Sequence, residues 1–267
     1  MSSLDRLVSV VKQLRGPQGC PWDQQQDHKS MRPYLLEEVY EVLDAIDKKE
    51  EDSERNRAIC EELGDLLFVV LLLCQIGADE DRFGFDDITN QITDKMIVRH
   101  PHVFGTPEQR QGPGGDIASW EQQKAKIDKK KKVRRSRLDG VPSTLPSLLR
   151  AFRQGEKVAA VGFDWSSHTG VMAKIQEELS ELESAIESTS QVDIASEYGD
   201  VLLSVANLGR HINVTPEEAL REANNRFAKR FKDLESLANA RGISLDETPP
   251  MEVLDELWET VKASEKQ

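Results

Sequence analysis

The 267-residue chain is predicted to be all-α, folded as two tandem helical-bundle domains. Three observations predict this class. Val, Ile, Thr and aromatic residues never alternate with polar ones over a convincing length, so strands are hard to place. Apolar residues recur instead at three- and four-residue spacing, as in Leu36, Val39, Leu43 and Ile46. Finally, a set of acidic, basic and aromatic markers occurs twice in the same order, once in each half, as tandem units would produce.

The elements follow from these markers. Met1 to Arg15 carries charge throughout a helical pattern, which argues against a signal peptide. "CPWDQQQ" then leads into a first acidic helix, "YLLEEVYEVLDAI" (34–46), whose EExxE comprises Glu37, Glu38 and Glu41. The second acidic helix contains "EELGDLLFVVLLL" (61–73), with Glu62 and Asp65 at the mouth of a hydrocarbon run. Because Leu66 to Leu73 is apolar on every side, this helix is expected to lie centrally in a bundle. A basic helix follows in "KMIVRHPHVF", with Lys95 and Arg99, then a breaker-rich loop, "GTPEQRQGPGGD", and "WEQQK" with Trp120 and Lys124.

The second half repeats the order. "GFDWSSH" precedes "KIQEELSELESAI" (174–186), with Glu177, Glu178 and Glu181. "SEYGDVLLSVANL" (196–208) carries Glu197 and Asp200, "RFAKRFKDL" carries Arg226, Lys229 and Arg230, and "WETVK" carries Trp258 and Lys262. The domains are therefore set at 1–128 and 146–267, joined by a basic linker, 129–145. No aromatics interleave with the linker's charges, so it reads as a solvated connection rather than a ligand patch.

The formal net charge of −13 disfavours stable nucleic-acid binding but allows a metal site. The longest apolar run, Leu66 to Cys74, is far short of the roughly 20 residues of a membrane span. Three cysteines without CxxC spacing suit a reduced, cytoplasmic setting. His100 and His102 read as a turn after a helix, and His28, His168 and His211 read as isolated.

Residues three apart share a helix face, so Glu38 with Glu41 and Glu62 with Asp65 form two facing pairs. Packing the two helices side by side converges four carboxylates, which repel one another unless cations accompany them. Hard oxygen ligands suit Mg²⁺, with Mn²⁺ as the alternative, and no Cys or His set suggests zinc. EExxE alone is more often a wet face with i,i+4 salt bridges. The recurrence of both pairs, next to apolar helices, favours the metal.

This ordered set, with "RHPHVF" and "GCPWD", resembles the MazG family of nucleoside triphosphate pyrophosphohydrolases over nearly the whole chain. The resemblance implies a four-helix-bundle core formed by dimerisation, hence a homodimer. It also implies Mg²⁺-dependent hydrolysis of NTP or dNTP to monophosphate and pyrophosphate, a house-cleaning of nucleotide pools. Metal lowers the pKa of water and neutralises charge on phosphoryl oxygens. The expected ligands are Glu178, Glu181, Glu197 and Asp200, with Glu177 orienting water, and Glu38, Glu41, Glu62 and Asp65 in the first copy. Lys174, Arg226 and Arg230 are expected on the phosphates, with Lys229, Trp258 and Lys262 completing the substrate set. Lys95, Arg99, Trp120 and Lys124 are their counterparts in the first copy. Trp258 reads equally as base-stacking or core packing. Lys174 stands where the first copy has Tyr34, and Lys229 where it has Val98, so the C-terminal copy is expected to be the main catalyst. Narrower substrates (dUTP, phosphoribosyl-ATP) and a non-catalytic nucleotide- or metal-sensing module are the alternatives.

Overall fold

The computed structural model describes residues 1–48, 51–110 and 136–265. Its described residues form helices and turns and contain no strand. The chain divides into two compact units, Met1–Lys132 and Val133–Gln267.

In the first unit α1 (Ser3–Arg15) starts at a capping box: Asp5 N–H donates to Ser2 Oγ at 3.1 Å, and Ser2 N–H donates to Asp5 Oδ2 at 2.8 Å. A helical turn, Pro21–Gln25, leads to α2 (Arg32–Asp47), where a proline in the first turn surrenders no intrahelical hydrogen bond. The 28-residue α3 (Asp52–Asp79) is the hub, packed by α2, α1 and α4 (Phe85–Arg99). Val11, Met31, Val69, Leu71, Leu72 and Ile76 form the core. At the C-terminal end of α3 the chain doubles back over Gly77, where a Cβ would lie 2.6 Å from the Phe83 ring and 2.8 Å from its carbonyl oxygen. Only glycine permits that approach.

Two apolar faces stay open in the single chain. The helix bearing Leu66 to Leu73 is not buried on all sides: Leu63, Leu67 and Val70, a stripe at four- and three-residue spacing, remain exposed because its partners cover one side only. Likewise Leu36, Val39 and Ile46 of α2 face outward with Tyr40, while Val42, Ala45 and part of Glu38 face inward. The apolar stripe of α2 is thus a second, uncovered face. The packed face is the one that carries an acid.

In the second unit α5 (Ser147–Ala159) packs on α7 (Gln191–His211), and α7 lies along α6 (His168–Ser188). The α6–α7 turn is short, with Thr189 in the left-handed region at φ 59°. α8 (Pro216–Ala240) packs on α9 (Met251–Ser264) and on α5. Leu234, Ala238, Leu257 and Val261 form the α8–α9 core, with Trp258 packed against it.

Candidate functional site

Each acidic cluster is built by an antiparallel-style pairing of two successive helices, the tightest arrangement a short connection allows. In the first unit α2 supplies Glu38 and Glu41, and α3 supplies Glu62; their carboxylate oxygens lie within 4.8 Å of one another. In the second unit α6 supplies Glu178, and α7 supplies Glu197 and Asp200, again within 4.8 Å. The expected convergence of two neighbouring helices on one point therefore occurs in both halves.

Each triplet leaves one expected residue aside. Asp65 is exposed and outside the first triplet, but its charge acts on Glu38. Glu181 is outside the second triplet, yet its carboxyl is pushed above its ordinary value, first by burial and then by Glu178, with Lys174 opposing the shift. Glu177 points to the edge of the cluster, exposed and paired with Lys174 at 2.7 Å.

The electrostatics of the two clusters differ. Burial, then Glu41, Asp65, Glu62 and Glu37 in turn, push the Glu38 carboxyl upward. One Glu38 oxygen, Oε2, is buried without a hydrogen-bond partner. An orphaned buried carboxylate oxygen facing two further acids is the donor chemistry of a hard divalent cation, so these residues fit Mg²⁺. In the second cluster Glu178, only 6% exposed, pairs with Lys174 Nζ at 2.8 Å. Hydrogen bonds to Glu177 and then Glu178 hold the Lys174 ammonium well above its ordinary value.

Of the basic residues expected in the second unit, Lys174 is brought onto the acids and those of α8 are not. α8 packs on α9 and α5 and touches α7, and it is not packed on α6. Its cations are engaged locally: Arg226 with Glu222 at 3.6 Å, Lys229 with Asp233 at 3.1 Å, and Arg230 with Glu265 at 2.7 Å. Lys262 pairs with Glu259 at 2.6 Å. Trp258 meets Phe227 at 5.5 Å between ring centroids and leans on the α8–α9 core, which makes it a packing residue in this state. In the first unit Lys95 is exposed and Arg99 buried. Trp120, Lys124 and the linker residues 129–135 lie outside the described residues.

Several structural partners were not visible from sequence. Arg210 donates to Asp164 Oδ1 at 2.6 Å, and His211 Nε2 lies 3.1 Å from the same oxygen, fastening the loop before α6 to the end of α7. Burial would raise the Asp164 carboxyl, but Arg210, His211 and the Trp165 N–H together hold it below its ordinary value. In the first unit Arg15 performs the equivalent fastening, donating to the Asp23 and Gln26 carbonyls at 2.5 and 3.1 Å and pairing with Asp79 at 2.6 Å. His28 Nδ1 likewise meets Arg82 at 2.9 Å, so neither His28 nor His211 is isolated. Separations of 46 and 64 residues leave no local pattern that could announce the Arg210–Asp164 and Arg15–Asp79 links.

The MazG nucleotide pyrophosphohydrolase domain model matches twice, at residues 26–104 and 166–234. Both matches contain an acidic cluster, while Trp258 and Lys262 fall outside them. The chain is 42% identical over 262 residues to a Thermotoga maritima protein, the nucleoside triphosphate pyrophosphohydrolase/pyrophosphatase MazG, covering 98% of this chain and 96% of that one. It is 39% identical over 268 residues to the nucleoside triphosphate pyrophosphohydrolase of Escherichia coli K12, covering 99% of each. It is also 40% identical to YabN of Bacillus subtilis, matching 97% of this chain but 51% of that protein.

Proposed function

The chain belongs to the MazG nucleotide pyrophosphohydrolase family, and from that premise we propose that it hydrolyses nucleoside triphosphates, NTP or dNTP, to the monophosphate and pyrophosphate in a Mg²⁺-dependent reaction. The observation that carries the reading is the pairing of helices that gathers Glu178, Glu197 and Asp200, and again Glu38, Glu41 and Glu62, within 4.8 Å. Two relatives matched over nearly their whole length, both named as nucleoside triphosphate pyrophosphohydrolases, support the substrate class.

Glu178, Glu181, Glu197 and Asp200 would hold Mg²⁺, which when bound neutralises phosphoryl charge and makes water more acidic. The chain's own groups do the rest. Lys174, Arg226, Lys229 and Arg230 bind phosphate oxygens, and Glu177, exposed beside Lys174, orients the attacking water toward the α-phosphorus. Pyrophosphate leaves carrying charge that these cations offset. Trp258 and Lys262 close the terminal segment over the nucleotide. The C-terminal copy is the main catalyst, because Lys174 and Lys229 have only Tyr34 and Val98 as counterparts. The reaction serves as house-cleaning of the cytoplasmic nucleotide pool, a setting supported by three free cysteines.

A homodimer completes the fold. Leu36, Val39, Leu63, Leu67 and Val70 in the first unit, and Leu202, Leu203 and Val205 in the second, are each more than a third exposed. Apolar faces of that extent are normally covered by a partner. The deciding experiment incubates purified protein with a panel of NTPs and dNTPs, with Mg²⁺ or a chelator, and measures pyrophosphate and orthophosphate separately. Mg²⁺-dependent pyrophosphate release is expected. Orthophosphate as the only product, or binding without turnover, would replace this reading by a different hydrolase or a sensing module.

A further inference from the structure

Both clusters gather three carboxylates, with Glu38 and Glu178 in matching places, but among the described residues only one of them has a cation beside it. In the second cluster the Lys174 ammonium sits 2.7 Å from Glu177 Oε1 and 2.8 Å from Glu178 Oε1. Glu178 belongs to the triplet, so this ammonium is paired with a carboxylate of the set that would hold a divalent cation. In the first cluster the matching residue is Tyr34, whose ring packs edge-on against Trp22 at 5.4 Å and supplies no charge. The charges that act most strongly on Glu38 are acidic, and its Oε2 is buried without a hydrogen-bond partner.

We propose that Lys174 is a resident counter-ion that keeps the second cluster from holding a divalent cation until nucleotide phosphate draws the ammonium away, whereas the first cluster takes the cation without nucleotide. The proposal rests on the pyrophosphohydrolase reading and adds an order of loading to it. The ammonium exchanges a carboxylate for a phosphate oxygen, so its charge stays neutralised while Glu178 is released. Metal and substrate then arrive at the catalytic cluster together. Without nucleotide the ammonium offsets part of the negative charge gathered between α6 and α7. The first cluster lacks this exchange and therefore answers to metal concentration alone.

The test uses the full-length protein and Mn²⁺ followed by electron paramagnetic resonance, with a triphosphate analogue bridged by nitrogen between the α and β phosphorus to prevent turnover. Without nucleotide, the Mn²⁺ binding that Glu38→Gln removes is expected to be roughly tenfold tighter than that removed by Glu178→Gln, the order of effect of one unit charge at a partly exposed site. Lys174→Met should tighten the second class by a similar factor without nucleotide, the analogue should do so in the unsubstituted protein, and Tyr34→Lys should weaken the first class. Thermal melting confirms that each variant is folded. Equal affinities in the unsubstituted protein, or a binding isotherm unchanged by Lys174→Met, would overturn the counter-ion role. Failure of the underlying reading looks different: no Mn²⁺ bound at either cluster, with or without the analogue, and no effect of either Glu→Gln exchange.

Discussion

Glu38→Gln should stabilise the metal-free protein and at the same time remove much of its stabilisation by Mg²⁺. Two like charges 4.8 Å apart repel by about 3.5 kcal/mol at an effective dielectric near 20 and by about 0.9 kcal/mol in water. Glu41 is exposed and Glu38 only partly buried, so the solvent-screened end applies and the exchange should gain about 1 kcal/mol. For a unit of this size that is about 4 °C in Tm. Conversely, a cation bound at 100 times its Kd adds about 2.7 kcal/mol to the folded state. The assay is a pair of thermal melts at low ionic strength, one in chelator and one in saturating Mg²⁺, for the unsubstituted protein and the variant. The expected result is a higher melting temperature than wild type in chelator and a smaller Mg²⁺ shift. A variant that melts lower in chelator, yet keeps the full Mg²⁺ shift, would refute the argument: Glu38 would then be an ordinary structural acid with partners of its own.

The remaining predictions concern pH, turnover and packing. Because the Glu38 and Glu181 carboxyls lie above their ordinary value of 4.5, the folded state binds more protons than the unfolded state just above that pH. Metal-free stability should therefore rise as pH falls from 7 toward about 5, and saturating Mg²⁺ should flatten that rise. Below about 4 the trend reverses, since Asp164 and Glu265 are held low and lose their partners on protonation. Calorimetry across this range checks both limbs. Glu178→Gln and Asp200→Asn should each reduce pyrophosphate release at least about a hundredfold, more than loss of a supporting residue around a metal costs; full activity would remove them from the site. The corresponding pair Glu38→Gln and Glu62→Gln should cost far less turnover if the C-terminal copy is the main catalyst, and an equal loss would reverse that assignment. Trp258→Ala should destabilise the protein by about 2–3 kcal/mol in chemical denaturation, because it empties the contact with Phe227 and the α8–α9 core, while Trp258→Phe should recover most of it.

Much of the fold was legible because helix periodicity and internal repetition are local signals. Three of the four expected acids in each half were legible for the same reason, since three-residue spacing places them on a shared face, whereas the setting aside of Asp65 and Glu181 depends on how the paired helices are rotated. Which face of α2 turns inward was not legible. Leu36, Val39 and Ile46 make the more hydrophobic stripe, yet packing on α3 turns Val42, Ala45 and Glu38 toward the protein. An apolar stripe says that something covers it, not that the same chain does. The fastening of each loop by Arg15 or Arg210 was equally hidden, since it depends on where separate helices end. The partners of the α8 cations were hidden too: Glu265 holds both Lys229 and Arg230 from another helix's end, 35 residues beyond Arg230.

Those partners explain how one chain keeps opposite charges ready without letting them cancel. If α8 lay on α6, its arginines would neutralise Glu178 and Glu181 directly, and the buried pairs would be costly to break. Instead the acids sit on α6 and α7, while Arg226, Lys229 and Arg230 lie on α8 against Glu222, Asp233 and Glu265. Lys229 and Arg226 are more than half exposed, so each such pair is weak and exchanges easily. On the proposed function, a triphosphate with its cation would give the acids a metal and the bases phosphate oxygens. Its affinity would then arise from replacing weak, wet ion pairs by charge-assisted ones. Removing Glu265 offers a direct probe of that exchange. Glu265→Gln should lower the apparent KM for nucleoside triphosphate by freeing Arg230 and Lys229, with kcat little changed. A higher KM would mean that Glu265 positions these cations for phosphate rather than restraining them.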